Sequence, residues 1–196
     1  AGGLAYAGGL AGVLLCALLL MMGGMPAPAA AEGSTICVGS AGDYATIQAA
    51  INSGNALIYV GAGNWYETLS IDHTVTLLPE PPADARQPTP FPRVTGMSIV
   101  RNSTDYPTVI VRGFHFTNTV TQTNGYLRYG ITTIEGCKLD AGFNSLGSSG
   151  VTDAIKIRSC VITGDVYVYS YYNEFTGNFV WKGQVDVHSN GGNGAL

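Results

Sequence analysis

The sequence predicts an all-β solenoid, a right-handed parallel β-helix with coils of about 23 residues and a short N-terminal capping helix. The first reason is a repeat. Val111-Arg-Gly-Phe114-His-Phe116, Ile134-Glu-Gly-Cys137-Lys-Leu139 and Ile157-Arg-Ser-Cys160-Val-Ile162 follow one another at a spacing of 23 residues, with Val180-Trp-Lys-Gly183-Gln-Val185 as a weaker fourth copy. A constant period in this range marks a chain wound into stacked units. The second reason is the pattern inside each copy: apolar residues hold places one, four and six, and a unit this short buries its apolar side only against its neighbours. Val111, Ile134, Ile157 and Val180 are therefore expected in one interior ladder, and Phe116, Leu139, Ile162 and Val185 in another. The third reason is composition: 46% hydrophobic residues, 27 glycines and only 11% charged residues describe a sheet-rich, turn-rich globular chain, not a disordered one. The right hand follows from the strong bias of parallel crossovers.

The elements read in order as follows. Ile36-Cys-Val38 is a short strand. Gly42-Asp43-Tyr44 leads into residues 45–52, where Ile47, Ala50 and Ile51 have helical spacing and Ser53-Gly54 marks the stop. Such a helix hides the apolar end of the first coil and its open sheet edge. Leu57-Ile-Tyr-Val60, a turn at Gly61-Ala-Gly63, Glu67-Thr-Leu-Ser-Ile71 and Val75-Thr-Leu-Leu78 are strands and their connection. The segment 79–92 carries six of the nine prolines and is expected as a protruding loop, because proline cannot donate to a ladder.

Residues 1–31 carry no charge. An apolar run, Ala11 to Met22, is followed by Gly-Gly, a Pro break and Ala29-Ala-Ala31, the pattern of a secretory signal. The alternative is a membrane anchor, since Leu4 to Met25 is 22 uncharged residues, long enough to span a bilayer. Either way residues 1–31 are a signal or anchor with a Pro/Ala linker, residues 32–196 are the β-helix domain, and the protein is expected to be secreted or extracytoplasmic. Leu15 before Cys16 does not suit a lipid-attachment site. A net charge of −4 with scattered basic residues excludes a nucleic-acid footprint.

Cys137 and Cys160 stand at equivalent places one coil apart, so their Cα atoms are expected about 4.8 Å from each other. That distance permits a bridge, while parallel Cβ vectors favour a stacked pair of buried thiols. No Cys or His spacing implies a metal site, and no cofactor is expected. His115, between Phe114 and Phe116, is expected to face outward. Asn102-Ser-Thr104 is a glycosylation sequon in the right compartment.

Gly42-Asp-Tyr-Ala-Thr-Ile-Gln-Ala-Ala-Ile51, then Ile58-Tyr-Val-Gly-Ala-Gly-Asn-Trp-Tyr-Glu67 and Leu69-Ser-Ile71, resemble the entry to pectin methylesterases and the wider pectin-lyase-like β-helix superfamily. Val111-Arg-Gly-Phe-His-Phe-Thr-Asn-Thr119 is similar to the esterase stretch ending Thr-Phe-x-Asn-Thr. The resemblance covers residues 36 to about 170 and implies the fold more than an activity. Ester hydrolysis in that family uses one aspartate as nucleophile, a second as acid and base, an arginine and oxyanion glutamines, and paired carboxylates need different environments to split their pKa values. The family's Gly-Tyr-Gln-Asp-Thr-Leu falls near Gly142-Phe-Asn-Ser-Leu146, which has no carboxylate. Its Val-Asp-Phe-Ile-Phe-Gly falls near Gly164-Asp-Val-Tyr-Val-Tyr169, which leaves Asp165 as the one matching acid and the candidate catalytic residue. Asp140 and Asp153 are substitutes only if the loop between them folds back. A calcium-dependent lyase would need several converging acids, and none are grouped here.

A second candidate surface is aromatic. Alternation in Asp165-Val-Tyr-Val-Tyr169 places the valines on one face and Tyr167 and Tyr169 on the other. With Tyr171, Tyr172 and Trp181, and with Phe175 and Phe179 nearby, they would form an external strip suited to stacking on sugar rings or to a protein interface. The reading that best fits half an acid pair and an aromatic strip is a noncatalytic extracytoplasmic module for surface attachment, adhesion or assembly, with a polysaccharide or protein surface as partner. The alternatives are a carbohydrate esterase of the pectin methylesterase kind, and a membrane-anchored subunit held by residues 4–25. Nothing after Val185-Asp-Val187 matches the N-terminal helix, so further chain or a partner is expected over the last coil.

Overall fold

A computed structural model of the chain describes residues 36–38, 43–81, 90–100, 107–123, 130–146 and 154–189. The N-terminal segment, the glycosylation sequon and Asp153 lie outside them. So do residues 82–89 of the proline-rich loop. Among the described residues no helix is long and apolar enough to cross a membrane.

Among the described residues the fold is all-β apart from one short helix, and every strand pairing is parallel. The strands are β1 (Ile36–Val38), β2 (Leu57–Val60), β3 (Asn64–Ile71), β4 (Val75–Pro79), β5 (Arg93–Val100), β6 (Thr108–Arg112), β7 (His115–Phe116), β8 (Val120–Thr123), β9 (Ile131–Glu135) and β10 (Lys138–Leu139). They continue as β11 (Phe143–Leu146), β12 (Ala154–Arg158), β13 (Val161–Ile162), β14 (Val166–Ser170), β15 (Tyr172–Thr176), β16 (Phe179–Val180) and β17 (Val185–Ser189). One sheet runs β1-β2-β4-β6-β9-β12-β15. The other runs β16-β13-β10-β7-β5-β8-β11-β14-β17, with β3 paired to β5, and neither sheet closes on itself.

From β6 onward the chain repeats in units of three strands, one in the first sheet and two in the second. The interior ladders follow the repeat. Val111 pairs with Ile134 and Ile134 with Ile157, all fully buried. Phe116, Leu139 and Ile162 form the second ladder, and Val120, Phe143 and Val166 a third. Residue three of each unit has a left-handed backbone: Gly113 (φ 66°), Gly136 (φ 60°), Ser159 (φ 52°) and Gly177 (φ 64°). This is the sharp corner between the two sheets, and it suits glycine best.

The last unit departs from the expected register. Ile157 pairs with Phe175, Ile162 with Val180 and Val166 with Val185, so Val180 and Val185 each belong one ladder further along than the 23-residue spacing placed them. The cause is the connection. Seven residues join β8 to β9 and β11 to β12, whereas Tyr171 alone joins β14 to β15. The true fourth copy is Phe175-Thr-Gly177-Asn178-Phe-Val180. There Asn178 takes the place of the buried cysteines, accepting from the Cys160 N–H (2.9 Å) and donating to the Ile157 carbonyl (2.8 Å).

The helix α1 (Ile47–Asn52) is capped by Thr46, whose hydroxyl accepts from the Ala49 N–H. Ile47, Ala50 and Ile51 are fully buried against the first strands. Glu67 completes the cap: its carboxylate accepts from the N–H groups of Ile47 (2.9 Å) and Gln48 (3.0 Å). The Gln48 side chain in turn bonds both backbone groups of Ser70 on β3. The Glu67 of the quoted resemblance is thus a structural acid that ties the helix to β3. Cys137 and Cys160 are free, buried thiols, and burial pushes the Cys137 thiol well above the usual range.

Candidate functional site

The segments Gly142–Leu146 and Gly164–Tyr169 lie side by side. Phe143 pairs with Val166 and Asn144 with Tyr167 across β11 and β14. Strand alternation sends Phe143 and Val166 into the core and leaves Asn144 and Tyr167 on the outer side. Ser145 faces inward, and its hydroxyl accepts from the Tyr169 N–H at 2.7 Å. The outward positions of these neighbouring strands therefore carry an amide and a phenol.

Asp165 stands in the turn ahead of β14. Its carboxylate accepts from the Gln184 N–H at 2.8 Å, and its carbonyl accepts from the Phe143 N–H at 3.0 Å. Both bonds join successive turns of the same kind. Asp140 lies elsewhere, in the turn after β10, with His115 Nε2 at 2.7 Å from one oxygen and Lys138 Nζ at 3.1 Å from the other. Burial alone would raise its carboxyl, but the bonds from His115 and Lys138 outweigh it and hold Asp140 below the ordinary range. His115 faces outward as expected and is the register partner of Lys138.

Two pairs of rings are formed among the aromatic residues Tyr171, Tyr172, Phe179 and Trp181. Tyr167 and Tyr169 project from the outer side of β14, Tyr171 and Tyr172 form an edge-to-face pair at the corner before β15 (centroids 4.7 Å apart), and Phe179 and Trp181 pair at 6.1 Å on β16 and the turn after it. Tyr172, Phe179 and Trp181 are each more than half exposed (56%, 57% and 52%), whereas Phe175 packs against the core.

The richest chemistry surrounds Tyr169. On β17, Asp186 pairs with Tyr167 and His188 with Tyr169. The Tyr169 ring stacks on His188, with centroids 4.9 Å apart and planes 6° from parallel. The Tyr169 hydroxyl donates to Asp186 Oδ2 (3.1 Å), while His188 Nε2 lies 2.6 Å from Oδ1. Accepting that hydrogen bond, Asp186 pushes the Tyr169 phenol above its ordinary value. Asp186 and His188 are the residues the sequence reading missed. Their signal was the alternation of Val185-Asp-Val187-His, which puts an acid and an imidazole on the side opposite two valines. The group offers ring edges, a carboxylate, a phenol and an imidazole.

Two further acids flank an arginine on the first sheet. Arg112, Glu135 and Arg158 are consecutive in register; Glu135 bonds Arg112 Nε at 2.8 Å and Glu174 bonds Arg158. The hydrogen bond from Arg158 holds the Glu174 carboxyl below its usual range. Alternating charge of this kind reads as a ladder of cross-strand pairs. Among the described residues no three His, Cys, Asp or Glu side chains are grouped to hold a metal ion. Comparison of the chain with protein-family models, with curated proteins and with solved structures finds no match.

Proposed function

We propose that the chain is a right-handed parallel β-helix that acts outside the cytoplasm as a noncatalytic module for surface attachment or assembly, with a glycan as the partner of its C-terminal strands. The observation that carries this reading is the Tyr169–His188 stack sharing Asp186 beside Tyr167. A sugar presents apolar C–H faces and a rim of hydroxyls, and aromatic rings next to a carboxylate and an imidazole offer complements to both. The solenoid reading is supported by three-strand units that repeat in parallel register, and its right hand by the bias of parallel crossovers. Asn144 and Ser145, standing where an esterase of the resembled kind would need an acid, favour binding over turnover. The extracytoplasmic setting rests on the uncharged residues 1–31, with membrane attachment through residues 4–25 as the second form of it.

Affinity electrophoresis of the purified protein through gels containing neutral and acidic plant, fungal and bacterial polysaccharides tests the binding. Retardation by at least one polysaccharide, weakened about tenfold in Tyr169→Ala and in Asp186→Asn, is the expected result, since truncating a binding hot spot costs more than about 1 kcal/mol and a hydrogen bond to a charged group is worth about 1.5–3 kcal/mol. Migration unaffected by every polysaccharide sinks the glycan reading. A methanol-release assay on methyl-esterified pectin tests the alternative: release at an enzymatic rate that vanishes in Asp165→Asn would establish the esterase and make Asp165 its catalytic residue.

A further inference from the structure

A second polar site lies away from Tyr169, at the start of the second sheet. The pairing of β3 with β5 slips between Trp65 and Thr68: Trp65 pairs with Val94 and Thr68 with Gly96, so Tyr66 and Glu67 together oppose Thr95. A bulge of this kind re-aims side chains. Glu67 is turned to the helix cap already described, and Tyr66 is turned into solvent, where it is 91% exposed. A shallow cleft of about 100 Å³ opens beside it, lined by Asn64, Trp65, Tyr66, Arg93, Thr95 and Thr117. Trp65 is fixed as one wall by its Nε1–H bond to the Gly61 carbonyl (3.0 Å) and by packing on the core.

Arg93 supplies the charge. It is exposed, and among the described residues no carboxylate is ion-paired with it. Its register partner His115 and the next residue of that outward row, Lys138, already share Asp140. An anion is therefore the partner that the cleft lacks. Its shape follows from the donors around it. A planar carboxylate is satisfied by the guanidinium fork alone, whereas a tetrahedral group with three terminal oxygens has capacity for further donors, and the Asn64 amide and the Thr95 hydroxyl belong to residues lining the same cleft. The Thr117 hydroxyl is committed to backbone carbonyls of Val94 and Thr95. A ring attached to that group can lie against the exposed Tyr66 at the edge of the cleft.

We propose that this cleft binds the sulfate or phosphate ester of a sugar, with Arg93 on the oxyanion and Tyr66 on the ring. It is a site separate from the Tyr169 surface and stands or falls independently of it. Isothermal titration of the full chain with N-acetylglucosamine, its 6-sulfate, its 6-phosphate and glucuronate is the test. Both or either of the esters should bind at least tenfold tighter than the neutral sugar and than glucuronate, and whichever ester is tighter identifies the group. Arg93→Gln should lose tenfold or more of that affinity, Arg93→Lys most of it because the fork is lost, and Tyr66→Ala should weaken the sugar esters but not inorganic sulfate or phosphate. Because Tyr169 and Asp186 belong to the other surface, the advantage of the esters over the neutral sugar should persist in Tyr169→Ala and in Asp186→Asn. Arg93 is on the surface, so a folded Arg93→Gln protein is expected, and circular dichroism checks it. Equal binding of ester and neutral sugar, glucuronate binding as tight as the esters, or full affinity in folded Arg93→Gln would each overturn the proposal.

Discussion

The carbonyl oxygen of Asp165 lies 1.9 Å from the point where a Cβ on Gly142 would stand. Successive turns are in backbone contact here: a Cβ on Gly183 would likewise meet the Gly164 carbonyl oxygen at 2.0 Å. Gly142 also has a left-handed backbone (φ 82°). Gly142→Ala should therefore cost more than about 3 kcal/mol, a left-handed penalty of about 1–2 kcal/mol plus the displacement of two packed turns. Gly136 is the control, with φ 60° and nothing within 4 Å of its Cβ direction. Gly136→Ala should cost only the left-handed penalty, about 1–2 kcal/mol. Urea denaturation of both variants decides it, and equal losses would contradict the close stacking.

Much of the interior was legible in the sequence because three units repeat without insertion. Val111, Ile134 and Ile157, like Phe116, Leu139 and Ile162, could be stacked by counting. The last unit could not, because counting assumes connections of constant length, and Tyr171 replaces a seven-residue link. The local signal that survives the change is the left-handed third place, where Gly177 matches Gly113 and Gly136. The site was less legible than the core. Alternation put Tyr167 and Tyr169 outside, but it could not show which neighbouring strand supplies Asp186 and His188, since that depends on the shifted register. Nor could it show that Tyr171 pairs with Tyr172 and Phe179 with Trp181. The turn role of Asp165 depends on Gln184, a residue with no signature of its own.

Glu67 joins α1 to β3, and its removal should be felt at the helix. A helix of six residues does not persist by itself, and Glu67→Ala leaves two first-turn N–H groups without their acceptor. The expected loss is about 1–2 kcal/mol, with amide exchange accelerated at Ala50 and Ile51 ahead of the core strands. Glu67→Gln, which keeps one acceptor oxygen, should lose less. Exchange at these two amides as slow as in the parent protein would show that Thr46 caps the helix unaided.

Ile157 is fully buried between Ile134 and Phe175. Ile157→Val should cost about 0.5–1.5 kcal/mol, the usual result of deleting one buried methylene. Ile157→Asp places an unpaired charge in the ladder and should abolish cooperative thermal unfolding followed by circular dichroism. A well-folded Ile157→Asp protein would mean that this ladder is open to water.

Asp140 sets an expectation for acid stability. Its carboxyl is lowered in the folded protein because the bonds from His115 and Lys138 outweigh the opposing effect of burial. A group whose folded pKa lies below its unfolded one contributes stability that is fully present above the unfolded value, near 3.9 for Asp, and that disappears as the pH falls through the lowered folded value. The window is thus below about pH 4. Asp140 is the acid shared by the outward His115 and Lys138, so Asp140→Asn removes this contribution and both of its ion pairs at once. At pH 7 the cost should stay within about 1 kcal/mol, as befits a partly exposed network. Between about pH 4 and pH 2 the variant should lose stability less steeply than the parent chain, and the two urea midpoints should converge. Parallel curves across that range would show that the carboxyl titrates alike in the folded and unfolded chain, and the His115–Asp140–Lys138 contact would then have no part in holding the turn.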